Sequence, residues 1–313
     1  MHEPAPSRLG DVLVDDSPKP FTHLGVVAAA LAAGQPCISF ELFPPKTDEG
    51  EKNLWAAVHE LEAINPTFVS VTFGAGGSTR DRTVTITQGI AEDTELTPVG
   101  HLTCVGASAD ELRSVVEQYR HAGVSTVLAL RGDPPGGLEG PWVKHPGGFE
   151  HAVELVELLA SYGDMSIGVG AFPDGHPESA SVQQDAEVLA AKQAAGAQFA
   201  ITQFFFNADH YFESVALAQS AGCTMPIIPG IMPLTNYTQV QRFAELSGVE
   251  VPGELTQRAQ AIADDPEAVR ALGIAEATHL CQQLLAGGAP GLHFYTLNRS
   301  SATREIYANL GLS

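Results

Sequence analysis

Short runs rich in Val, Ile, Phe and Thr recur along this chain, separated by stretches whose apolar positions fall three and four residues apart. The runs cover residues 37–43, 68–73, 99–105, 126–130, 166–172, 199–205, 226–231 and 291–296, with Gly or Pro nearby, and read as buried strands. The stretches between them read as helices. In residues 108–121, Ser108 and Glu111 have the spacing of a capping box, and Leu112, Val115, Val116 and Tyr119 form one apolar stripe.

Eight strands alternating with helices predict right-handed βαβ units. At 313 residues an α/β fold of the closed (β/α)8 TIM-barrel type is favoured over an open doubly wound sheet. Residues 251–271 break the alternation and predict an extra helix pair before the last strand. Residues 1–20, acidic and Pro-rich, read as a disordered tail, and 21–313 as a single barrel. Residues 21–40 carry no Asp, Glu, Lys or Arg, but Gly25, Gly34, Gln35 and Pro36 interrupt them. A short helix followed by a strand accounts for them better than a membrane span.

Charge narrows the partners. With 16 Lys+Arg against 37 Asp+Glu, the formal net charge is −21. No cationic run offers the phosphate contacts that nucleic acid or anionic lipid requires. The four cysteines, Cys37, Cys104, Cys223 and Cys281, lie far apart without a zinc-like spacing and read as reduced thiols. The first 20 residues lack the apolar core of a signal peptide, so a cytoplasmic location is expected.

In a barrel, chemistry gathers at the strand C-terminal ends. Alternation along the first strand puts Ser39 and Glu41 on one face and Phe40 and Leu42 on the other. Phe40 and Leu42 suit the strand–helix layer, which turns Glu41 inward. A carboxyl among aromatic walls suits a general acid, whereas an Arg or backbone donors would make it structural. The second strand runs into a glycine-rich loop at 74–79 that lacks dinucleotide spacing. The third carries His101. The fourth ends in Arg131-Gly132-Asp133, either a displayed cation and anion or an internal turn pair. The sixth ends in Gln203 and three phenylalanines, an amide that reads heterocycle donors and acceptors beside apolar walls. His101, His176 and His293 fall near strand ends, but neither the spacing nor the first strand suits a catalytic metal, and no nucleophilic serine motif follows a strand.

The motifs FELFPPK, PTFVSVTFGAGGSTRDRT, GHLTC, LALRGDPPG, FPDGHPE, AITQFFF, IIPGIMP and HFYTLNRS occur in one order. In that order they resemble the 5,10-methylenetetrahydrofolate reductase family, of bacterial type, over residues 39–310. The resemblance implies a barrel that binds FAD at its strand C-terminal ends and reduces a folate methylene group to methyl with electrons from NADH or NADPH. It implies Glu41 as the general acid that helps open the folate ring to an iminium, and Asp133 as a carboxylate near flavin and pterin. Thr72, His101, Arg131, Gly132, Phe172, His176, Asp185 and Lys192 stand at family FAD positions. Gln203 stands at the pterin position, and Phe243, Tyr295 and Arg299 near the aminobenzoate and glutamate parts. A homo-oligomer is implied as well. Because the chain ends at Ser313, the S-adenosylmethionine-sensing domain of eukaryotic members is expected to be absent.

The flavin positions depart from the family. Members usually carry His or Asn where this chain has Val188, basic residues where it has Glu187, Ala190 and Ala191, and Tyr in place of Phe172. Fewer cations beside a pyrophosphate mean weaker Coulomb attraction. A loosely held FAD is therefore expected, with a flavin-free enzyme that passes hydride directly from NAD(P)H to folate as the alternative. A flavin-dependent reductase of another C=N or C=C substrate and a non-catalytic folate- or flavin-binding protein are the remaining readings.

Overall fold

The computed structural model of the protein describes residues 25–73, 80–134 and 140–312. The acidic tail and the 74–79 loop lie outside the described residues. Eight parallel strands close in sequence order: β1 (Cys37–Leu42), β2 (Phe68–Val71), β3 (Pro98–Thr103), β4 (Thr126–Leu130), β5 (Ser166–Ala171), β6 (Phe199–Phe204), β7 (Ile227–Ile231) and β8 (Gly291–Tyr295). Each coincides with an expected run to within two residues at either end, β3 beginning one residue early and the others shortened or unchanged.

A short helix, α1 (Val26–Ala32), precedes β1 as expected. The strands are then followed by α2 (Asp48–Glu62), α3 (Arg80–Asp93), α4 (Ala109–His121), α5 (Ala152–Ala160), α6 (Val182–Ala194) and α7 (Ala208–Ser220). Three helices separate β7 from β8: α8 (Tyr237–Ser247), α9 (Gly253–Gln260) and α10 (Pro266–Ala286). The 251–271 interruption thus contains α9 and only the start of a 21-residue helix. That longer helix packs between α7 and α11 (Ser300–Asn309), so α8 and α9 are the additions to the barrel. No helix among the described residues is long and apolar enough to cross a membrane.

Local chemistry explains the boundaries. Ser108 accepts from the Glu111 amide while Glu111 accepts from the Ser108 amide, closing the expected box, and the four residues of the α4 stripe are buried. Asp265 caps α10 through two backbone amides ahead of Pro266, where a missing N–H costs nothing. Phe40 and Leu42 are fully buried in the strand–helix layer, with the Phe40 and Phe294 rings 5.3 Å apart. Full burial of such a side chain contributes about 1.5–3 kcal/mol.

The inside of the barrel has two characters. Its lower part is apolar, with Cys37, Phe68, Val99, Leu128, Phe199, Ile201 and Ile228 in one cluster. Gly168 leaves room there for the Phe199 ring, which would lie 2.4 Å from an added Cβ. Above this floor lies a polar layer of Ser39, His101 and His293, all buried. Burial pushes His101 down to about 4, against the opposing pull of Glu41 and with a smaller push from His293.

That depression links stability to pH. The unfolded chain binds a proton at His101 near pH 6.5 that the folded chain refuses until about 4, so its contribution is complete above 6.5 and lost on descent. Between pH 7.5 and 5 the loss amounts to about 2 kcal/mol. Denaturant unfolding of wild type and His101→Gln at both pH values should show the variant losing that much less. Equal losses would show that His101 titrates normally.

Candidate active site

Register places the site. Pairing of β1 with β8 sets Ser39 beside His293 and Glu41 beside Tyr295, so inward-facing residues from the two chain ends meet at the barrel mouth. His293 Nε2 lies 3.3 Å and His101 Nε2 3.5 Å from Glu41 Oε2. On its other side His293 Nδ1 is 2.8 Å from Ser39 Oγ. The carboxyl therefore has two imidazoles beside it, that of His293 hydrogen-bonded and that of His101 in contact, and not the arginine or backbone donors of the structural alternative. Its side chain keeps 16% exposure, enough to reach a ligand at the mouth.

The loop after β8 locks this corner. Thr296 Oγ1 donates to the Glu41 carbonyl at 2.6 Å. Asn298 accepts from the Phe43 amide at 3.0 Å and donates to the Phe43 carbonyl at 2.7 Å. Leu297 and Asn298 adopt positive φ to make the turn. Tyr295 is committed elsewhere, donating to the Thr202 carbonyl at 2.7 Å. Burial, then the nearby Glu41, holds the Tyr295 phenol well above its ordinary range. Glycine is required at 230, since an added Cβ would lie 2.3 Å from the Thr202 oxygen and 2.7 Å from the Tyr295 ring.

An apolar cluster adjoins Tyr295. Phe204, Ala244 and Val249 pack with Phe206, Met232, Phe243 and Tyr295. The β6–β7 register shifts between Ile201 and Phe204, which re-aims Gln203 at the strand end. Gln203 is half-buried, and among the described residues its side-chain carbonyl accepts from the Phe204 amide at 3.0 Å. Of the three phenylalanines, Phe204 and Phe205 are buried and serve as core, Phe205 stacking on Tyr211 outside the barrel. Arg299 is exposed at the start of α11.

A second cluster spans β4, β5 and α6. Arg131 Nη1 lies 2.6 Å from Glu178 Oε2, and its guanidinium covers the Trp142 ring at 5.3 Å. The Arg131–Asp133 turn pair is not formed, and Asp133 is exposed. Trp142 donates to the Gly132 carbonyl at 3.1 Å. Gly132 turns at φ 81°, with the Val105 and Thr103 side chains 2.7 and 2.8 Å from where a Cβ would stand.

Asp185 organises the FPDGHPE loop. It accepts from the His176 amide at 2.9 Å and from the Ser179 hydroxyl at 2.5 Å. The Phe172 ring meets His176 edge-on at 4.7 Å. Asp174 anchors the same loop to α7 through His210, at 2.5 Å. Lys192 donates to the Gly170 carbonyl at 3.1 Å. Burial lowers Lys192 to about 8, opposed by Asp185 and aided by Arg131. His176 is lowered by burial and by Arg131.

The residues expected at a flavin thus fall into two groups. Arg131, Gly132, Phe172, His176, Asp185 and Lys192 form one cluster, while His101 sits against Glu41. Thr72, after β2, receives the Thr83 hydroxyl on its carbonyl at 2.7 Å. Sequence reasoning missed Ser39 as a partner, Trp142 and Glu178, and weighed His293 only as a metal ligand. Alternation had already put Ser39 on the Glu41 face, but its partner His293 lies on the last strand, beyond the reach of a local pattern. Among the described residues no group of three or more His, Cys, Asp or Glu is placed to hold a metal ion.

Comparison with known proteins bears on this geometry. The profile of the family described as methylenetetrahydrofolate reductase matches residues 26–311. The chain is 40% identical over 279 residues to 5,10-methylenetetrahydrofolate reductase of Escherichia coli (strain K12), covering 89% of this chain and 92% of that protein. It is 39% identical to methylenetetrahydrofolate reductase (NADH) 1 of Arabidopsis thaliana, covering 89% of this chain and 49% of that longer protein. A solved Clostridium thermocellum protein, described as binding two copies of 5-methyl-5,6,7,8-tetrahydrofolic acid, superposes with TM-score 0.58 at 15% identity, over 88% of this chain and 93% of its own. At that identity the likeness establishes the fold alone. Half-buried Glu41 at the barrel mouth, the strand-end motifs and the profile match over nearly the whole barrel agree: the chain belongs to the methylenetetrahydrofolate reductase family.

Proposed function

We propose that the protein reduces 5,10-methylenetetrahydrofolate to 5-methyltetrahydrofolate with NADH or NADPH as electron donor, Glu41 serving as general acid. The observation that carries this reading is the Glu41 carboxyl at the strand C-terminal ends, held through Oε2 by His293 with His101 beside it, and paired across the β1–β8 seam with Tyr295. The Tyr295 ring packs in an apolar cluster with Phe204, Phe206 and Phe243, and Gln203 is half-buried at the end of β6. A flat pterin fits against such a cluster, and an amide at the strand end matches its mixed donors and acceptors. Protonating a folate ring nitrogen calls for an acid at that depth. Phe243 and Tyr295 extend the apolar cluster toward the aminobenzoate, and exposed Arg299 offers a cation for the glutamate carboxylates.

For FAD, the donor set is suitable. Arg131 and Lys192 would hold the pyrophosphate, and Arg131 leads into the tight Gly132 turn, whose missing Cβ lets Val105 and Thr103 pack against it. Phe172, His176, Asp185 and Thr72 would line the remainder. The chemistry such a flavin supplies when bound is a two-electron relay between nicotinamide and folate. Asp133, exposed after β4, would place negative charge near the cationic folate.

The same contacts favour loose binding. Arg131 is already paired with Glu178, Lys192 is spent on a carbonyl, and α6 exposes Glu187, Val188 and Ala191 where cations would help.

Two outcomes follow. Glu41→Gln should lose folate reduction by at least about 10²-fold, the usual contribution of a positioned acid, while NAD(P)H oxidation with an artificial acceptor continues. Folate reduction at the wild-type rate in this variant would remove Glu41 from the mechanism. Titration of apoprotein followed by flavin fluorescence should give weak, saturable FAD binding, tightened about 2- to 5-fold in Ala191→Lys, the worth of one exposed charge contact. No saturable binding, together with full activity in flavin-free protein, would replace the flavin reading by direct hydride transfer from NAD(P)H to folate.

A further inference from the structure

We infer that His293, held by Ser39, is a positioning residue: it fixes Glu41 through Oε2 so that Oε1 is the oxygen presented to the substrate. The inference rests on the reading of Glu41 as the acid. His293 is fully buried and has no freedom to turn. The Phe68 ring stacks on it at 6.0 Å, and the Tyr295 ring meets it edge-on at 5.3 Å. Its two nitrogens then point along one line, Nδ1 to Ser39 Oγ at 2.8 Å and Nε2 to Glu41 Oε2 at 3.3 Å. Ser39 is equally buried, and its hydroxyl has the Leu292 carbonyl as a second partner at 3.5 Å.

The other groups around the carboxyl leave this role to His293. His101 Nε2, at 3.5 Å from the same oxygen, makes no hydrogen bond to it. Tyr295 gives its proton to the Thr202 carbonyl. From β2 the residue paired with Glu41 is Ser70, which is neutral and whose hydroxyl has no partner. Among the described residues, then, His293 alone makes a hydrogen bond to the Glu41 carboxyl. Oε1 has no protein partner among them and is left for a ligand.

Two substitutions separate the ends of the imidazole. Asparagine reproduces the reach of Nδ1, so His293→Asn should keep Ser39 satisfied but lose Glu41. Glutamine reproduces the reach of Nε2, so His293→Gln should keep contact with Glu41. Both remove the same ring from the same packing, so damage to the fold should be equal in the two. The expected result is a kcat for folate reduction about 10- to 100-fold lower in His293→Asn, the cost of a roughly 1 Å misplacement, with His293→Gln largely rescued. Folate KM and thermal midpoint should match between the variants. Ser39→Ala should lower kcat in the wild-type background and have no further effect in His293→Gln, a coupling that a double-mutant cycle reads directly.

Equal kcat in the asparagine and glutamine variants, or an effect confined to KM, would overturn the inference. Glu41→Gln distinguishes the two levels. If that variant still reduces folate, the acid assignment has failed; if it does not and His293→Asn is fully active, only the positioning role has failed.

Discussion

The seam between the first and last strands is the constraint on which the site depends. Parallel pairing at a fixed register leaves no choice about which side chains share a level, and here it sets Ser39 with His293 and Glu41 with Tyr295. A slip of one residue would turn Glu41 into the helix layer and Phe40 into the mouth. The seam is accordingly fastened twice beyond the ladder, by Thr296 on the Glu41 carbonyl and by Asn298 on both backbone groups of Phe43. The positive-φ turn at Leu297 and Asn298 carries a conformational cost that these bonds offset. Barrel closure and placement of the acid are one event.

The polar layer above the apolar floor follows from the same geometry. A half-buried carboxyl and two buried imidazoles are costly in isolation and more tolerable as a group, since His293 satisfies one carboxyl oxygen and is itself satisfied by Ser39. The cost is visible where satisfaction is incomplete, in the orphaned His101 Nε2 and in the depression of that ring to about 4. A neutral imidazole beside the acid shapes the pocket without adding a fixed charge. This is a local departure from good packing, placed where the barrel opens to ligand.

Much of the architecture was legible because strands of a closed parallel barrel are buried on both faces, which produces continuous apolar runs that stand out from helical periodicity. The capping box at Ser108 was equally readable, being local. Glu41 was found by alternation within one strand. Its partners were not, because His293 is 252 positions away and meets Glu41 only through closure of the barrel. Arg131 illustrates the same limit. Sequence proximity offered either a displayed cation and anion or an Arg131–Asp133 turn pair; Asp133 is exposed, and a different loop, which proximity could not point to, brings Glu178 to the guanidinium. The helix pair at 251–271 was displaced for another reason: α10 runs on to Ala286, and its apolar and polar residues are spread around the helix and not gathered in one stripe, which hides the face that packs inward.

Charge in this protein is better understood by occupancy than by total. A net −21 disfavours anionic ligands at a distance, but within a Debye length the outcome is decided by the few cations that face the ligand. Arg131 and Lys192 are such cations, and neither is idle. One exchanges a carboxylate at 2.6 Å, the other a backbone carbonyl at 3.1 Å, for any phosphate that arrives. The ammonium is also partly relieved of its proton by burial, at about 8, so an incoming anion must draw that proton fully onto it near the upper end of the physiological range. Binding here is an exchange of partners, and its free energy is the difference between two good contacts. The cations of this cluster are thus already committed to partners within the protein, and any anion that reaches them must displace those partners.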